Sequence, residues 1–385
     1  MDKTDLFING FGIGSAILAL SLAQKCPNIK IIICEINRPE TIFNGADLLK
    51  PSGISVIKDL GLLTEVLKMG VQRKDLKIFY SGQELIHLDY SQFDELGYFV
   101  LLPYPKLLSL VRDKLLEFSN VEIFYKTHIT QIKKSQSDFI SCIELSNGMQ
   151  IKPGVVVGAD GATSEIRKIL GIEGTREIYE QTMFLSRFPI VESIQECNRL
   201  YVEPKGSVAY FYPISKTESR IVIGFVEKDG KDLIKKKNKA ALIEQLYSFV
   251  SESQDALDKM KCEDITFKKV PVAKMHLDKY FDGNAALLGD ACHNINPITG
   301  QGMNLAIEDA GQLACNLEPL FISQTQSLKA CFEMYQQIRK PINERMVEYG
   351  DKLSTAYKDK NTFISCFNLR LQGSSRRMDV LNSKN

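Results

Sequence analysis

Gly289-Asp290-Ala291-Cys292-His293-Asn294-Ile295-Asn296-Pro297-Ile298-Thr299-Gly300-Gln301-Gly302-Met303-Asn304 decides how this chain is read. The apolar run Ala285 to Leu288 reads as a strand that delivers the Asp290 carboxylate at its end, and behind a Pro/Gly loop Leu305-Ala306-Ile307-Glu308-Asp309-Ala310 continues as a helix. Pro297 has no N–H and a fixed φ, so it offers a stiff apolar surface. Gly300 and Gly302 carry no Cβ to hold backbone amides away from a flat ring. The helix behind them points the positive end of its dipole at whatever binds there. The competing reading is a strand-loop-helix turn with no ligand.

Working outward, the N-terminus reads as a βαβ start. Leu6-Phe7-Ile8 is an apolar strand, Ser15 to Gln24 a helical run, and Ile29 to Cys34 a second strand ending at Glu35. Gly10-Phe11-Gly12-Ile13-Gly14-Ser15 sits at the first turn, where a dinucleotide fingerprint wants Gly-x-Gly-x-x-Gly or Ala, and Ser15 takes the third place. Glu35 follows at the distance that suits an adenosine ribose. In the middle of the chain, Val155-Val156-Val157-Gly158 leads into Asp160-Gly161-Ala162-Thr163-Ser164-Glu165-Ile166-Arg167. Asp160-Gly161 makes a tight strand-to-helix turn, Ser164 can accept from first-turn amides, and Arg167 is a bidentate donor suited to phosphate or carboxylate. A capping turn with a surface arginine is the plainer alternative.

In this order and spacing the three segments resemble the FAD fingerprints of the flavoprotein aromatic hydroxylases, the single-component monooxygenases related to p-hydroxybenzoate hydroxylase and the ubiquinone-biosynthesis hydroxylases. The resemblance runs over about residues 5 to 350. It implies that Gly10, Gly12, Gly14, Ser15 and Glu35 hold the adenosine half of FAD, and that Asp160, Gly161 and Arg167 serve FAD and the pyridine nucleotide. It further implies that Gly289-Asp290 meets the ribityl chain, that Pro297 flanks the isoalloxazine as the residue of the catalytic centre, and that Gly300, Gln301, Gly302, Met303 and Asn304 face the flavin pyrimidine. Two family cations are missing. The loop that often carries Arg-x-x-Gly reads Thr41-Ile42-Phe43-Asn44-Gly45-Ala46-Asp47, which keeps Asp47 without the arginine, and the Arg-x-x-Leu helix opens as Tyr104-Pro105-Lys106-Leu107. Both departures bear on the FAD phosphates and the nicotinamide, so Asp47 and Tyr104 stand as the cofactor contacts at these places.

The implied fold is α/β, a Rossmann-like FAD-binding domain of the GR2 type seen in p-hydroxybenzoate hydroxylase. Its first part is expected at residues 1–175, a mainly β substrate-binding domain at 176–283, and its second part with the C-terminal helices at 284–385. Val208 to Pro213 and Arg220 to Phe225 read as strands of the inserted sheet, joined by the polar turn Ser215 to Ser219. Tyr210 and Tyr212 share one face of their strand by the period of two. They are substrate candidates, with Arg187, Arg199 and Tyr201 as further polar contacts.

Composition narrows the function. The 385 residues carry 48 basic and 47 acidic side chains, a formal charge of +1, so nucleic acid is not the expected partner. Nine cysteines without a CxxC pair and four histidines indicate neither a disulfide framework nor a metal site. No apolar run is long enough to span a membrane, and the N-terminal run, broken by glycines, is not a signal peptide. A cytoplasmic monomer or homodimer is expected. The family chemistry is NADPH- or NADH-driven hydroxylation of an aromatic or polycyclic small molecule by O2, through a flavin C4a-hydroperoxide. Two alternatives remain open at this point: a same-fold flavin reductase of the geranylgeranyl reductase type, and a non-catalytic escort protein.

Overall fold

A computed structural model describes residues 1–41, 46–92, 95–225, 232, 238–270 and 272–372. The loop between Thr41 and Ala46 therefore lies outside the described residues, as does most of the lysine-rich stretch from Lys231 to Lys239. The first sheet has eight strands, with the path Phe281–Asp282, Ala285–Leu287, Gln150–Gly158, Asp2–Asn9, Ile31–Glu35, Val121–Tyr125, and with Ile140–Leu145 and Ile129–Lys134 continuing from Gln150–Gly158. Its central pairs are parallel. The strand Ile31–Glu35 is buried along its whole length, as continuous apolar runs in parallel sheets are. Helix Ile13–Lys25 is buried at eleven of its thirteen residues, which explains why it shows no polar face in the sequence.

Register sets the site. Asn9 lies opposite both Cys34 and Gly158, and Gly158 opposite Leu287. The turns that follow these strands, at Gly10, Glu35, Asp160 and Gly289, therefore open on one edge of the sheet. From Asp2–Asn9 the chain passes to Ile31–Glu35 on one side and later to Gln150–Gly158 on the other, and ligands of open α/β sheets bind at such a reversal of strand order.

The second sheet has seven strands, in the order Lys268–Val270, Thr182–Pro189, Glu218–Phe225, Val208–Pro213, Asn198–Val202, Asp75–Tyr80, Gln83–Asp89. Two of these strands come from residues 75–89, so the sheet is not drawn only from 176–283. Asn198–Val202 pairs in parallel with Asp75–Tyr80, a contact between distant segments that no local signal announces. One face, with Phe79, Tyr201, Phe211, Ile221 and Ile223, packs on the helices Lys239–Tyr247 and Gln254–Cys262. The chain closes with the helices Gly302–Ile322, Leu328–Ala356 and Lys360–Gln372. Among the described residues no helix is long and apolar enough to cross a membrane.

Candidate active site

At the first turn Gly10 takes φ +95°, and a Cβ there would stand 2.5 Å from Ala159 O, so only glycine fits. Glu35 is buried and binds back across the turn: Phe11 N–H donates to Oε2 at 2.8 Å, and Asn37 donates through N–H and Nδ2 to Oε1 at 2.8 and 2.7 Å. Gly12 caps helix Ile13–Lys25 with no side-chain hydrogen bond, which leaves its first turn to be satisfied from outside. Tyr104 reaches this place. Its hydroxyl accepts from Ile13 N–H at 3.2 Å, and burial pushes its pKa up. Where the resemblance implies an arginine, this chain puts a neutral hydroxyl at the helix start. Arg112 approaches from the same helix as Tyr104, donating to Phe11 O and lying 4.4 Å over the Phe11 ring. Sequence reading missed Arg112 because nothing local marks it.

Gly14 and Ser15 serve packing. A Cβ on Gly14 would lie 2.5 Å from Leu288 Cδ2 and 3.3 Å from Ala306 O, so Gly14 lets helix Ile13–Lys25 close on helix Gly302–Ile322. Ser15 donates from Oγ to Gly12 O at 2.9 Å. In the middle segment Asp160 Oδ2 accepts from Asn9 Nδ2, Glu165 N–H and Ile166 N–H at 2.8, 2.7 and 3.3 Å, while its buried Oδ1 has no hydrogen-bond partner among the described residues. Gly161 beside it has open space where a Cβ would stand. Ser164 accepts from Arg167 N–H as a helix cap. Arg167 departs from the expectation of a phosphate donor: Nη1 donates to Ala291 O at 2.8 Å and Nη2 to Ala162 O at 2.9 Å. It ties the middle segment to the Asp290 turn.

Asp290 is exposed, yet dense surroundings desolvate its carboxyl and raise its pKa, against the opposing pull of His293 and Arg176. It thus opens into a recess. Pro297–Thr299 forms a short 3-10 turn, Gly300 follows with φ +58°, and helix Gly302–Ile322 begins behind Gln301 with no side-chain cap. Pro297, Gly300, Gln301 and Gly302 are all half-buried. Met303 and Asn304 turn inward. Met303 joins the core, and the fully buried Asn304 spends its amide on Lys50 N–H, Leu48 O and Gly300 O at 2.8, 2.9 and 3.2 Å. Any cofactor contact at these two positions falls to the backbone.

His293 is buried, with Nε2 at 2.6 Å from Asp309 Oδ2; Arg339 Nε donates to Oδ1 of the same carboxylate at 2.6 Å, and Asn343 adds a bond at 3.1 Å. Arg339 and His293 hold the Asp309 carboxyl well below the ordinary range despite its burial. Cys292, His293 and Asp309 bring potential ligand atoms within 4.8 Å of one another, a cluster the sequence did not suggest. The Arg339 guanidinium already occupies the carboxylate and opposes a second cation there.

The other face of the second sheet packs in part on the helices Leu328–Ala356 and Lys360–Gln372, through Val202 and Val208 against Tyr349, Leu353, Tyr357 and Phe363. Register lines up Leu185, Val222, Tyr210 and Leu200 across four interior strands on one face. All four are half-exposed, whereas their strand neighbours Arg220, Tyr212, Val208 and Val202 are buried. This stretch of the face is therefore covered less completely than the residues around it. Tyr210 and Leu200 pack against the same cluster as Ile298, and Tyr210 and Val222 against the same cluster as Leu48, which places this row near the Pro297 turn. Tyr210 accepts from Asn198 Nδ2 at 3.0 Å. Arg187 lies on the same face, opposite Arg220, and is exposed. Arg199 and Tyr201 do not belong to this group: register sets Arg199 opposite Phe211, on the helix-covered face, where Arg199 meets Glu196 at 3.3 Å and Tyr201 meets Ser253 at 2.9 Å.

Asp47 is found where the two sheets meet. Its buried carboxylate pairs with Arg220 Nη1, accepts from Tyr212 Oη at 3.2 Å and from Tyr104 N–H at 3.4 Å; burial nonetheless pushes its pKa up to about 6. The residues fit FAD on several counts. The helix starts at Gly12 and Gln301 carry no side-chain caps, Asp160 keeps an orphaned buried oxygen, and Asp290 waits in a recess.

Comparison with known proteins agrees with this geometry. A family model described as FAD binding domain matches residues 3–349. Ubiquinone hydroxylase UbiL of Rhodospirillum rubrum is 25% identical over 368 residues, covering 91% of this chain and 80% of UbiL. Human ubiquinone biosynthesis monooxygenase COQ6 is 22% identical, covering 81% of this chain and 76% of COQ6. Among solved structures, PqsL of P. aeruginosa in complex with 2-aminobenzoylacetate is 37% identical with a TM-score of 0.90, covering 95% of this chain and 100% of that one. The p-nitrophenol 4-monooxygenase PnpA of Pseudomonas putida, 17% identical, shares the fold with a TM-score of 0.82, covering 100% of this chain and 98% of that one.

Proposed function

The chain belongs to the FAD binding domain family of flavoprotein monooxygenases, and from that premise we propose how its own residues divide the work. It is an FAD-dependent monooxygenase that hydroxylates an aromatic or polycyclic small molecule. When bound, the flavin supplies electron transfer and the activation of O2. NADPH or NADH serves as the electron donor.

Glu35 and the Gly10–Gly12 turn take the adenosine ribose and the phosphates, and Asp290 takes the ribityl chain. The uncapped amides at Gln301 and Gly302 face the electron-rich pyrimidine edge, where aligned N–H groups stabilise negative charge. Pro297 closes the apolar wall beside the reacting edge, and the row Leu185, Val222, Tyr210 and Leu200 packs on the substrate ring and excludes water. Arg187, at the rim of that face, meets an acidic substituent where the substrate has one. PqsL, solved with 2-aminobenzoylacetate, shows such a compound on a relative.

The observation that carries this reading is the half-exposed row of four side chains in the interior of a sheet, near the Pro297 turn. The test is to reconstitute the protein with FAD, screen aromatic compounds for accelerated NAD(P)H oxidation, and look by mass spectrometry for one added oxygen atom with matching O2 uptake. A reduced product without O2 uptake would instead support the reductase alternative.

A further inference from the structure

The Asp47 side chain is fully buried, so it does not touch a ligand itself. What it holds are the elements that do. Its main-chain O accepts from Leu102 N–H at 2.9 Å and its carboxylate from Tyr104 N–H at 3.4 Å, which ties it to the start of helix Tyr104–Leu115. Tyr104 is in turn the residue whose hydroxyl meets Ile13 N–H, at the uncapped start of helix Ile13–Lys25. On the other side the same carboxylate pairs with Arg220 Nη1 and accepts from Tyr212 Oη at 3.2 Å. Register sets Arg220 directly opposite Tyr212 on one neighbouring strand and Arg187 on the other, two residues along from the row Tyr210, Val222 and Leu185. Like charges set side by side across strands repel. Asp47 offsets them, for Arg220 pairs with it and Arg187 acts on it from further off.

We propose that Asp47 is the positioning residue through which occupation of the cofactor site fixes the row Arg187, Arg220 and Tyr212 on the substrate face. The inference rests on the reading of the helix start at Gly12 as the place of the FAD phosphates. An anion there competes for the Ile13 N–H that the Tyr104 hydroxyl accepts. The change reaches Asp47 through a single residue, because the Tyr104 N–H lies on its carboxylate. A buried carboxylate shared by donors from both halves of the site does not follow one of them without the others. The substrate row is therefore set only when the cofactor side is occupied.

The experiment measures backbone hydrogen exchange in the parent and in Asp47→Asn, each with and without saturating FAD, at about pH 8, where the Asp47 carboxyl is ionised. In the parent, FAD is expected to slow exchange about fivefold or more both at the Gly10–Gly12 turn and in the strands Val208–Pro213 and Glu218–Phe225. In Asp47→Asn the protection of the turn should remain and that of the strands should be lost. Strands that FAD protects equally in parent and variant overturn the proposal, and so does a parent in which FAD protects the turn alone. A brace without this function would change strand exchange by the same factor with and without FAD. If Asp47→Asn does not fold, Tyr104→Phe decides, since it removes the hydroxyl at the first link: strand protection by FAD should be lost, and protection equal to the parent's overturns the proposal. A parent chain that takes up no FAD overturns the cofactor reading itself, and this inference with it.

Discussion

Asp290 opens into a recess whose walls raise its pKa, so its carboxylate gains most from a donor that arrives with the ligand. A ribityl hydroxyl is such a donor. Asp290→Ala removes a charge-assisted hydrogen bond of about 1.5–3 kcal/mol, or about one to two decades in FAD dissociation constant. The melting temperature of the apoprotein should stay near that of the parent. Titration of apoprotein with FAD checks this, and an unchanged constant would move the ribityl contact elsewhere. Pro297 calls for a different readout. It is half-buried and has no N–H to lose, so Pro297→Ser should leave the fold and FAD binding nearly intact. The new hydroxyl and the looser backbone admit water beside the reacting edge, so H2O2 released per NAD(P)H should rise as product falls. An unchanged ratio of peroxide to product, with a sharply lower melting temperature, would mark Pro297 as a turn residue alone.

Strands and helix starts were readable because their causes are local. The parallel strands at Ile31–Glu35 and Gln150–Gly158 announce themselves as apolar runs, and the turns after them carry glycines and acids at fixed offsets. What joins the elements was not readable. Asn304 connects Gly300 to Lys50 and Leu48, which lie 254 and 256 residues from it in sequence, and nothing near Lys50 says that its ammonium will be buried on Thr299. The same limit explains Arg199 and Tyr201. The period of two puts each of them with its own strand partners, but only the register Arg199 to Phe211 says which side of the sheet they occupy. Asn304→Ala tests the connection itself. It strands the Lys50 amide and the Leu48 and Gly300 carbonyls in a buried place, at a cost of about 2–4 kcal/mol. Chemical denaturation should show that loss, and FAD affinity should fall as the Gly300 turn loosens. A variant with parental stability would mean that the turn holds its shape without the clamp.

On the scale of the whole molecule, the two sheets meet at Asp47, whose carboxylate joins Tyr104 of the cofactor side to Tyr212 and Arg220 of the substrate side. A second buried carboxylate, Asp309, anchors the Asp290 turn through His293 to the helix carrying Arg339. The two should titrate in opposite senses. Asp309 has a folded pKa below its unfolded value near 3.9, so its contribution is present above about pH 4 and is lost as pH falls further. Asp47 has a folded pKa of about 6, above the unfolded value, so its contribution is full below about pH 4 and is lost as pH rises through about 6. Asp47→Asn cannot titrate and stands in for the uncharged acid, so the parent should fall behind it as pH rises through about 6. The informative quantity is how that difference changes with pH. Between about pH 7 and pH 4 the parent should gain on the variant, by up to about 3 kcal/mol, measured by urea unfolding at each pH. A parent that instead gains on the variant as pH rises would show that the Arg220 pairing outweighs burial and keeps Asp47 ionised.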